Sequence, residues 1–572
     1  MPGSTVQYRN DQLVDILSTD FIRRNDPSFF VSYLRADAVA TAVSIQVSAP
    51  YTRIAAYNLW AVIDVGTIEC EVRRVTAISG GNRTYAINAL AYNHDLGDPV
   101  LFITTPTLNA MWFGANPNLA DNSIPFQRMV DQCFPLNANG YVPLGKYLYA
   151  TGMILQENTG IFGDRWSRLD NGGTWLEYSG SGNAITIDGS VSAVALRRNI
   201  SIRDMSIKCT HVSSSYGIWA DYMTYFELSG IYVWNAKNDG IYMENCHHGT
   251  IRSCRLRGNA NAGLSINVKN DAGDNTFSGQ MLIEDIQSES SNYGVYVNAP
   301  YNTLAQLTFE KCHFMSNTYG ALLTSANVQA VSFVNCHFEA NTTAGLYTHT
   351  DVEEGPVVDN CFFNYLTASA WGIDDHGKRM EVRHSKFVDQ SGSYASAGGV
   401  ALGGSESRVS ECTFRNLTQS LLFRSGSTNL FIDRNTWENQ SGARVVDSGA
   451  GNVTWEGEVV VTSPNFDFSG ATSTHFEFMA PKELWLYKAE MHYTQATSAD
   501  AGIIVEAGIS TDTDRLISFT TETSKAVYDV TEITPIAKYI NKGQKIVTRN
   551  VGGKTGTGEG FMVLRFLPYN IA

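Results

Sequence analysis

Two carboxylate residues, Asp221 and Glu244, hold the same place in two similar stretches of the sequence. The first stretch reads G-I-W-A-D from Gly217, and the second reads G-I-Y-M-E from Gly240. If the stretches are adjacent strands, the two backbones lie about 4.8 Å apart there. Glycosidases use such a pair, with carboxyl groups about 5–5.5 Å apart in retaining enzymes and about 6.5–9.5 Å apart in inverting ones. The pair predicts glycoside hydrolysis. The alternative is a surface pair without a catalytic role, in which solvent or Lys237 reduces the repulsion between the two carboxylates.

Similar stretches recur along the chain, and each begins a strand near a glycine. Residues one and three positions after the glycine are mostly apolar, so strand alternation turns those two and four positions after it outward. This predicted stripe combines aromatic rings with amides and imidazoles, which suit the apolar faces and hydroxyl groups of sugars. The predicted substrate-binding residues are Trp219, Tyr242, Asn267, Tyr296, Asn298, Tyr347, His349 and His376. Two alternatives stay open: aromatic residues favour strands anyway, and the stripe could face a neighbouring subunit.

Other carboxylates compete for a catalytic role. Asp274 lies in an insertion that lengthens one copy of the repeat, where it could line the same groove. Glu289 shares a second outward position with Glu339 two copies later, and Asp374 stands beside His376. Asp274, Glu289 and Asp374 are therefore further catalytic candidates.

Elimination is the alternative chemistry if the glycan contains uronic acid. It would need a base such as Tyr347 or His349 and a cationic group to neutralise the substrate carboxylate. The acidic loop 351–354 could hold a hard cation. Metal-spaced Cys/His motifs and a phosphate-binding glycine loop are absent from the sequence, so we expect no cofactor and no metal at the site.

A repeated apolar pattern, Φ-x-x-Φ-x-Φ, must position these side chains. Its copies recur at intervals of roughly two dozen residues, which is typical of a solenoid. They begin at Ile202, Leu228, Ile251, Ile283, Phe309, Phe333, Val358, Val382, Val409 and Ile432. A leucine-rich consensus and a helical 3.6-residue period are both missing. The pattern predicts an all-β fold built on a right-handed, single-stranded parallel β-helix.

The repeat also accounts for most of the nine cysteines. The second apolar position of the pattern is occupied by Cys254, Cys312, Cys336, Cys361 and Cys412. The number of cysteines is odd and no CxxC pair occurs, so a disulfide framework or a zinc site is disfavoured. We predict an inward ladder of small, reduced side chains with poorly ionised thiols.

A capping helix and a strand precede the repeats and carry a family resemblance. Asp121 or Asn122 can cap a helix with Pro125 in its early turn and the apolar face Phe126, Met129, Val130 and Cys133. The stretch "FGANPNLADNSIPFQRMVD…VPLGKYLYA" resembles the start of the pectate-lyase-like β-helix domain of phage tailspikes and capsule depolymerases. It departs from that pattern where Asn122 and Ser123 replace Asp-Thr and where Pro143 and Leu144 stand in inverted order.

The resemblance covers about 109–455 and has implications for the whole molecule. It implies a homotrimer that binds and cleaves a bacterial capsular polysaccharide or O-antigen. It also implies attachment to a phage tail or baseplate protein through the N-terminal domain. Such a protein is made in the bacterial cytoplasm, becomes part of the virion and acts at the host cell surface.

The flanks differ from the repeats in character. Apolar and polar residues alternate within residues 1–108, which predicts a small β domain. The resemblance implies that this domain attaches the protein to the virion. Residues 109–456 are the predicted β-helix, which carries catalysis and receptor binding. Residues 457–572 predict a C-terminal β-sandwich for trimerisation or carbohydrate binding.

Composition excludes some functions and leaves others open. The net charge of −15 argues against nucleic-acid binding, which needs a basic face. No window is long and apolar enough to predict a membrane span, and the first residues do not resemble a secretion signal.

Of the two cleavage reactions, hydrolysis is favoured over elimination. A non-catalytic receptor-binding fibre would show the same fold and stripe, whereas the missing signal counts against a free bacterial carbohydrate enzyme.

Overall fold

The structure is a computed structural model in which almost all regular structure is β. It describes residues 30–48, 59–79, 83–103, 107–168, 172–189, 196–211, 215–268, 278–364, 370–390 and 398–438 and, after 438, mainly the strands given below. The chain divides into two compact units, one of residues 1–376 with 388–397 and one of 377–387 with 398–572. The predicted domain boundaries at 108 and 456 stay predictions. Among the described residues, the helices are too short and too polar to span a membrane.

The first unit begins with a small antiparallel sheet. In spatial order its strands are Phe30–Tyr33, Pro99–Ile103, Trp60–Ile63, Glu71–Ser79, Thr84–Ile87 and Ser44–Gln46. Alternate residues of these strands, such as Ala61, Ile63, Val100 and Phe102, are buried in one apolar cluster. This arrangement matches the alternating pattern seen in the sequence.

A short helical segment connects this sheet to the β-helix. A 3₁₀ turn, Ala110–Phe113, precedes the α-helix Ser123–Leu136. Asn122 is the N-cap residue without a side-chain cap, and Oδ1 of Asp121 instead accepts a hydrogen bond from the backbone N–H of Ser123 at 2.9 Å. The predicted apolar face is confirmed, because Phe126, Met129, Val130 and Cys133 are all buried.

Two parallel sheets follow in the same unit, and each coil contributes to both. The front sheet consists of Met153–Leu155, Asn183–Asp188, Tyr216–Asp221, Ile241–Glu244, Ala262–Asn267, Tyr293–Asn298, Tyr319–Leu323, Ala344–Thr348 and Trp371–Asp375. The back sheet contains Thr107–Asn109, Asn139–Tyr141, Gly145–Tyr149, Gly160–Phe162, Thr174–Tyr178, Arg197–Arg198, Ser201–Cys209, Met223–Trp234, His247–Arg252, Arg255–Arg257, Ser278–Glu284, Gln287–Glu289, Leu304–Glu310, His313–Met315, Val328–Val334, His337–Glu339, Val357–Asp359 and Phe362–Asn364. Neighbouring coils pair in parallel, which confirms the predicted β-helix.

The repeated apolar positions point into the coils. Phe338 stacks on Phe363 with ring centroids 4.6 Å apart, and both are buried. The thiol of Cys336 lies 3.3 Å from the carbonyl oxygen of Phe309 on the preceding coil. All nine cysteines are free and buried, as predicted.

Each repeat pattern turns a corner at its third residue. The backbone there adopts the left-handed conformation, with φ of 59° at Asp204, 51° at Ser253 and 54° at Lys311. Only glycine adopts this conformation without cost, although Asn and Asp tolerate it better than other residues. The corner bends the chain between two back-sheet segments and turns the side chains beside it outward.

The glycines that begin the front-sheet strands are required by close packing between coils. A Cβ added to Gly240 would lie 2.8 Å from the carbonyl oxygen of Gly263, and one added to Gly345 would lie 2.7 Å from that of Gly372. The same clash recurs at Gly217, Gly263, Gly294 and Gly320. The repeated glycine therefore permits neighbouring backbones to approach.

The second unit contains parallel strands of the same kind and two antiparallel sheets. Its parallel strands are Gly398–Leu402, Gln419–Phe423 and Val445–Asp447, together with Glu381–Arg383, Arg408–Ser410, Thr413–Arg415, Leu430–Asp433, Thr436–Glu438 and Val453–Glu456. The strand Lys386–Val388 crosses the division between the units. One antiparallel sheet holds Val459–Thr462, Phe466–Asp467, Leu484–Gln495, Val530–Ile533, Tyr539–Ile540 and Glu559–Pro568, and the other holds Ser473–Met479, Ile504–Ile509, Asp512–Thr520 and Lys545–Val551.

Candidate functional site

The register of the front sheet brings the predicted stripe together. Trp219 pairs with Tyr242 on the next coil, and Asp221 pairs with Glu244 in the same register. The aromatic column continues through Ser265 to Tyr296, and the polar column continues through Asn267 to Asn298. The pairing of residues expected from the repeat is therefore confirmed. Asp188 stands opposite Asp221 on the preceding coil, so the structure adds a third carboxylate that was not predicted from the sequence.

Two parallel aromatic rings lie beside the carboxylates on the front sheet. The rings of Trp219 and Tyr242 are parallel within 2°, with centroids 6.4 Å apart. Tyr216 packs edge-on against Tyr242 at 5.5 Å. All three residues are half-buried, so each is partly exposed to solvent. Such surfaces pack against the C–H faces of sugar rings.

The carboxylates of the stripe are more enclosed than the sequence predicted. Asp221 and Glu244 are each only 4% exposed, whereas alternation alone placed them on an open outward face. The hydroxyl of Tyr242 donates a short hydrogen bond to Oε2 of Glu244, and Nδ2 of Asn245 lies 3.4 Å from Oδ1 of Asp221. Lys237 donates instead to Oδ1 of Asn235 at 3.3 Å.

A buried aspartate at the start of the Glu244 strand was also not predicted. Asp239 is 3% exposed, and burial raises its pKa from 3.8 to about 6. Its Oδ1 accepts hydrogen bonds from Nδ2 of Asn261 at 2.7 Å and from the backbone N–H of Ala262 at 2.9 Å. Burial likewise raises the pKa of Tyr242, with the hydrogen bond to Glu244 as the second cause, so the phenol keeps its proton.

Further along the front sheet, aromatic rings follow one another in contact. Tyr296 stacks on Tyr293 at 5.3 Å, and Tyr293 stacks on Tyr319 at 5.8 Å. The series continues from Tyr319 to Tyr347 at 5.4 Å and from Tyr347 to His376 at 5.3 Å. Tyr296, Tyr347 and His376 were predicted from the sequence, whereas Tyr293 and Tyr319, which precede the repeated glycine, were not.

The remaining polar candidates of the stripe have local partners. Nε2 of His376 lies 3.2 Å from Oδ1 of Asp374, and Nδ1 of His349 lies 3.1 Å from Oδ2 of Asp351. Asn267 donates to Oγ of Ser265 at 2.9 Å, while Oδ1 of Asn298 accepts from the hydroxyl of Thr324 at 3.0 Å. These residues form the polar edge of the same surface.

One catalytic candidate, Glu289, lies outside the front sheet. Glu289 belongs to the back sheet, where it is 9% exposed and lies 3.5 Å from Nε of Arg257 and 4.0 Å from Nη2 of Arg168. The predicted alignment with Glu339 two coils later is confirmed, with Met315 between them. Asp274 lies outside the described residues.

A cleft on the back sheet forms a second polar site. Its volume is about 350 Å³, and its lining residues are Trp166, Arg203, Asp204, Glu227, Ser229, Gly230, Arg252 and Ser253. Burial raises the pKa of Asp204, and repulsion from Glu227 raises this pKa further. Arg252 forms a short ion pair with Glu227. Most of these residues fill the x positions of the Φ-x-x-Φ-x-Φ pattern. In the sequence that pattern indicated only the interior, so the cleft was not predicted.

Comparisons with known proteins support the fold. A family model described as periplasmic copper-binding protein (NosD) matches residues 167–374, which is less than half of the chain. No curated protein matches the sequence significantly. The A-module of a mannuronan C-5 epimerase from Azotobacter vinelandii aligns with a TM-score of 0.51 at 14% identity, covering 61% of this chain and 100% of that chain. At this identity the likeness shows a shared β-helix fold.

Two other solved structures align less closely. A surface adhesin of Streptococcus pneumoniae has a TM-score of 0.48 at 12% identity and covers 59% of this chain and 91% of that chain. A tailspike protein from an Acinetobacter baumannii bacteriophage, described as a capsular polysaccharide depolymerase, has a TM-score of 0.39 at 11% identity and covers 91% of this chain and 92% of that chain.

Proposed function

We propose that the front sheet binds a polysaccharide along the stripe from Trp219 to His376. The parallel rings of Trp219 and Tyr242 beside a column of carboxylates carry this proposal. Aromatic platforms with adjacent hydrogen-bonding groups match the two kinds of surface that a sugar offers. The series of contacting aromatic rings from Tyr296 to Tyr347 extends the surface over several coils, which suits a polymer better than a monosaccharide.

We propose that the bound polysaccharide is cleaved by hydrolysis, with Asp221 and Glu244 dividing the acid and base or nucleophile roles. The two residues are direct neighbours in the sheet register, and their backbones are separated by about 4.8 Å. Enclosure of both groups lowers the local dielectric constant and so strengthens the electrostatic interactions between them and the reacting bond. Elimination on a uronic-acid polymer is the alternative reaction, and a binding fibre without activity is the alternative function.

The sequence resemblance over about 109–455 supports a phage tailspike depolymerase acting on a bacterial capsular polysaccharide or O-antigen. We propose that the protein is a homotrimer attached through residues 1–108 to a phage tail or baseplate protein. In this proposal it is made in the bacterial cytoplasm, carried on the virion and active at the host cell surface.

The reaction is tested by incubating the protein with purified capsule or O-antigen from a susceptible host. New reducing ends without ultraviolet absorbance support hydrolysis, whereas absorbance of an unsaturated uronate identifies elimination. Binding of the glycan without shortening would support the alternative function, a receptor-binding fibre without activity. Asp221→Asn and Glu244→Gln should each lower the rate by about 10²–10⁴-fold while the glycan still binds.

Matched variants in the back-sheet cleft locate the reaction. Asp204→Asn and Glu227→Gln remove a second pair of carboxylates, in which burial raises the pKa of Asp204. If catalysis belongs to the front sheet, both variants keep wild-type rates. Loss of activity in the cleft variants, with full activity in Asp221→Asn and Glu244→Gln, would transfer the catalytic site to the cleft.

A second candidate function, copper binding, is favoured by one group of side chains. The imidazole rings of His313 and His337 stack on adjacent coils with centroids 4.4 Å apart, and Oε2 of Glu339 lies 3.1 Å and 3.8 Å from their Nε2 atoms. Met315 pairs with Glu339 in the same register. Imidazole and thioether ligands suit copper, and the group lies within the residues matched by the NosD family model. Saturable Cu²⁺ binding that is lost in His337→Ala would support this function.

A further inference from the structure

Three acidic or imidazole side chains converge in the N-terminal sheet region. Asp64 follows the strand Trp60–Ile63, while His94 and Asp98 lie in the loop before the strand Pro99–Ile103. Nδ1 of His94 is 3.9 Å from Oδ2 of Asp64 and 4.0 Å from Oδ2 of Asp98. The side chain of His94 is fully buried, and those of Asp64 and Asp98 are 13% and 25% exposed. The three groups therefore line one nearly closed polar space.

The other ring nitrogen of His94 is already held in place. Nε2 of His94 lies 2.7 Å from Oε1 of Glu71, whose side chain is fully buried. The carboxylate of Glu71 also accepts hydrogen bonds from the backbone N–H groups of Ala91 at 3.0 Å and Tyr92 at 3.2 Å. This arrangement assigns the ring proton to Nε2 and leaves the lone pair of Nδ1 directed at the two aspartates. Histidines that bind metals are oriented by a carboxylate in this way.

Nδ1 of His94 has no hydrogen-bond partner among the described residues, although the atom is buried. Buried polar atoms without partners are rare in folded proteins and call for a specific explanation. The two aspartate oxygens are too far from Nδ1 for a hydrogen bond, but they are within reach of a shared ion. A group lying between the three atoms would satisfy the nitrogen.

The surrounding charge also favours a cation. Glu69 adds negative potential at both Asp64 and Asp98, and Asp95 adds more at Asp98. The nearby Arg73 forms a short ion pair with Glu71. Like charges at these distances repel each other unless a cation lies between them.

We propose that Asp64, His94 and Asp98 bind a divalent transition-metal cation of the Zn²⁺ class. One imidazole nitrogen with two carboxylate oxygens suits a borderline cation better than Mg²⁺, which prefers oxygen ligands and retains its water. Tetrahedral Zn²⁺ with bonds of about 2.0–2.2 Å needs ligand atoms about 3.3 Å apart. The three atoms reach that spacing if they move together by less than about 1 Å.

Both carboxylates are positioned by local hydrogen bonds. The hydroxyl of Thr67 donates to Oδ2 of Asp64 at 2.6 Å, and the backbone N–H of Asp95 donates to Oδ2 of Asp98 at 2.7 Å. Asp64 has a left-handed backbone, with φ of 59°, which asparagine tolerates. Asp64→Asn and Asp98→Asn therefore retain shape and most hydrogen bonds while removing the charge.

The test is calorimetric titration of the full-length, chelator-treated protein with Zn²⁺, in the presence of excess Mg²⁺. Wild-type protein should bind Zn²⁺ at this site and show a higher melting temperature on binding. Asp64→Asn and Asp98→Asn should each weaken this binding at least tenfold. Their metal-free forms should melt no lower than metal-free wild type, because each substitution removes like-charge repulsion.

Glu339→Gln is the matched control, because it alters the separate His313–His337–Glu339 group, which could also bind a metal. The proposal expects this variant to keep the Zn²⁺ binding that Asp64→Asn and Asp98→Asn weaken. Equal affinity in wild type, Asp64→Asn and Asp98→Asn would overturn the proposal. Loss of Zn²⁺ binding in Glu339→Gln alone would also overturn it, by assigning the binding to the other group.

Discussion

The indole ring of Trp219 lies parallel to the phenol ring of Tyr242 on the next coil, within 2° and with centroids 6.4 Å apart. The two residues pair in the sheet register, so the backbone repeat holds both rings at one inclination. The phenol of Tyr242 is further fixed by its hydrogen bond to Glu244. A preformed aromatic surface loses little conformational entropy when a ligand binds.

Replacing Trp219 with alanine should weaken glycan binding about tenfold or more, equivalent to at least about 1.4 kcal/mol. The substitution removes the larger half of the platform while leaving Asp221 and Glu244 in place. Affinity is measured with a non-cleaved oligosaccharide or with the Glu244→Gln background. Tyr225→Ala is the control, because Tyr225 is 60% exposed on the back sheet. Equal losses in both variants would argue against a specific platform.

Asp239→Asn should stabilise the protein at neutral pH. Burial raises the pKa of Asp239 from 3.8 to about 6, so the folded chain holds this proton more tightly than the unfolded chain. The resulting penalty is absent below about pH 4, grows between about pH 4 and 6, and is complete above pH 6, where it amounts to about 3 kcal/mol. Asparagine keeps the acceptor for Asn261 and Ala262 without carrying the charge.

Melting temperatures of wild type and Asp239→Asn across pH 4–8 measure this effect. The variant should melt higher above pH 6, and the two curves should converge towards pH 4. A difference that stays constant over the whole range would show that ionisation of Asp239 is not its cause.

The sequence predicted which residues are neighbours because the repeat has a nearly constant length. Counting from Gly217 and Gly240 placed Asp221 opposite Glu244, and the parallel register has this pairing. The inward cysteines and phenylalanines followed from the same spacing, since apolar residues at one repeat position must share one interior. These predictions required only the length of the sequence repeat and the geometry of stacked strands.

Burial and clefts could not be predicted in the same way. Alternation gives the direction of a side chain, but the enclosure of Asp221 depends on neighbours such as Asn245 in the turn after the next strand. The corner residue that faces the back-sheet cleft is Asp204 in one coil, Gly230 in the next and Ser253 in the third. No common residue type marks this position, because the corner requires a backbone conformation rather than a side chain.

The group around His94 was not predicted for a related reason. Asp64 and His94 lie in different turns, 30 positions apart in the numbering, and no ligand spacing connects them. They meet because the strands Trp60–Ile63 and Pro99–Ile103 pair antiparallel, with Ile63 opposite Val100. Such a site depends on non-local strand pairing, which single-sequence patterns do not specify.

The native protein should be inert towards thiol reagents. All nine cysteines are free and buried, and burial raises the pKa of Cys209 and Cys254 to about 12. Thiolate is the reactive form, so neither exposure nor ionisation favours attack. Ellman's reagent at pH 8 should detect no thiol in the native chain and all nine after denaturation. A rapidly reacting thiol in the native protein would contradict the predicted interior ladder.

Gly320→Ala should destabilise the β-helix by about 1–3 kcal/mol, because the added methyl group overpacks a well-filled interface. A Cβ at this position would meet the carbonyl oxygen of Gly345 and lie 2.8 Å from Cδ1 of Phe338, and neither the next coil's backbone nor the stacked ring can move freely. Gly182→Ala is the matched control, since its Cβ would meet only the hydroxyl of Tyr178 at 3.6 Å. Thermal unfolding of both variants measures the difference. If the two variants melt at the same temperature, the close approach of neighbouring coils is not what selects glycine at the start of each front-sheet strand.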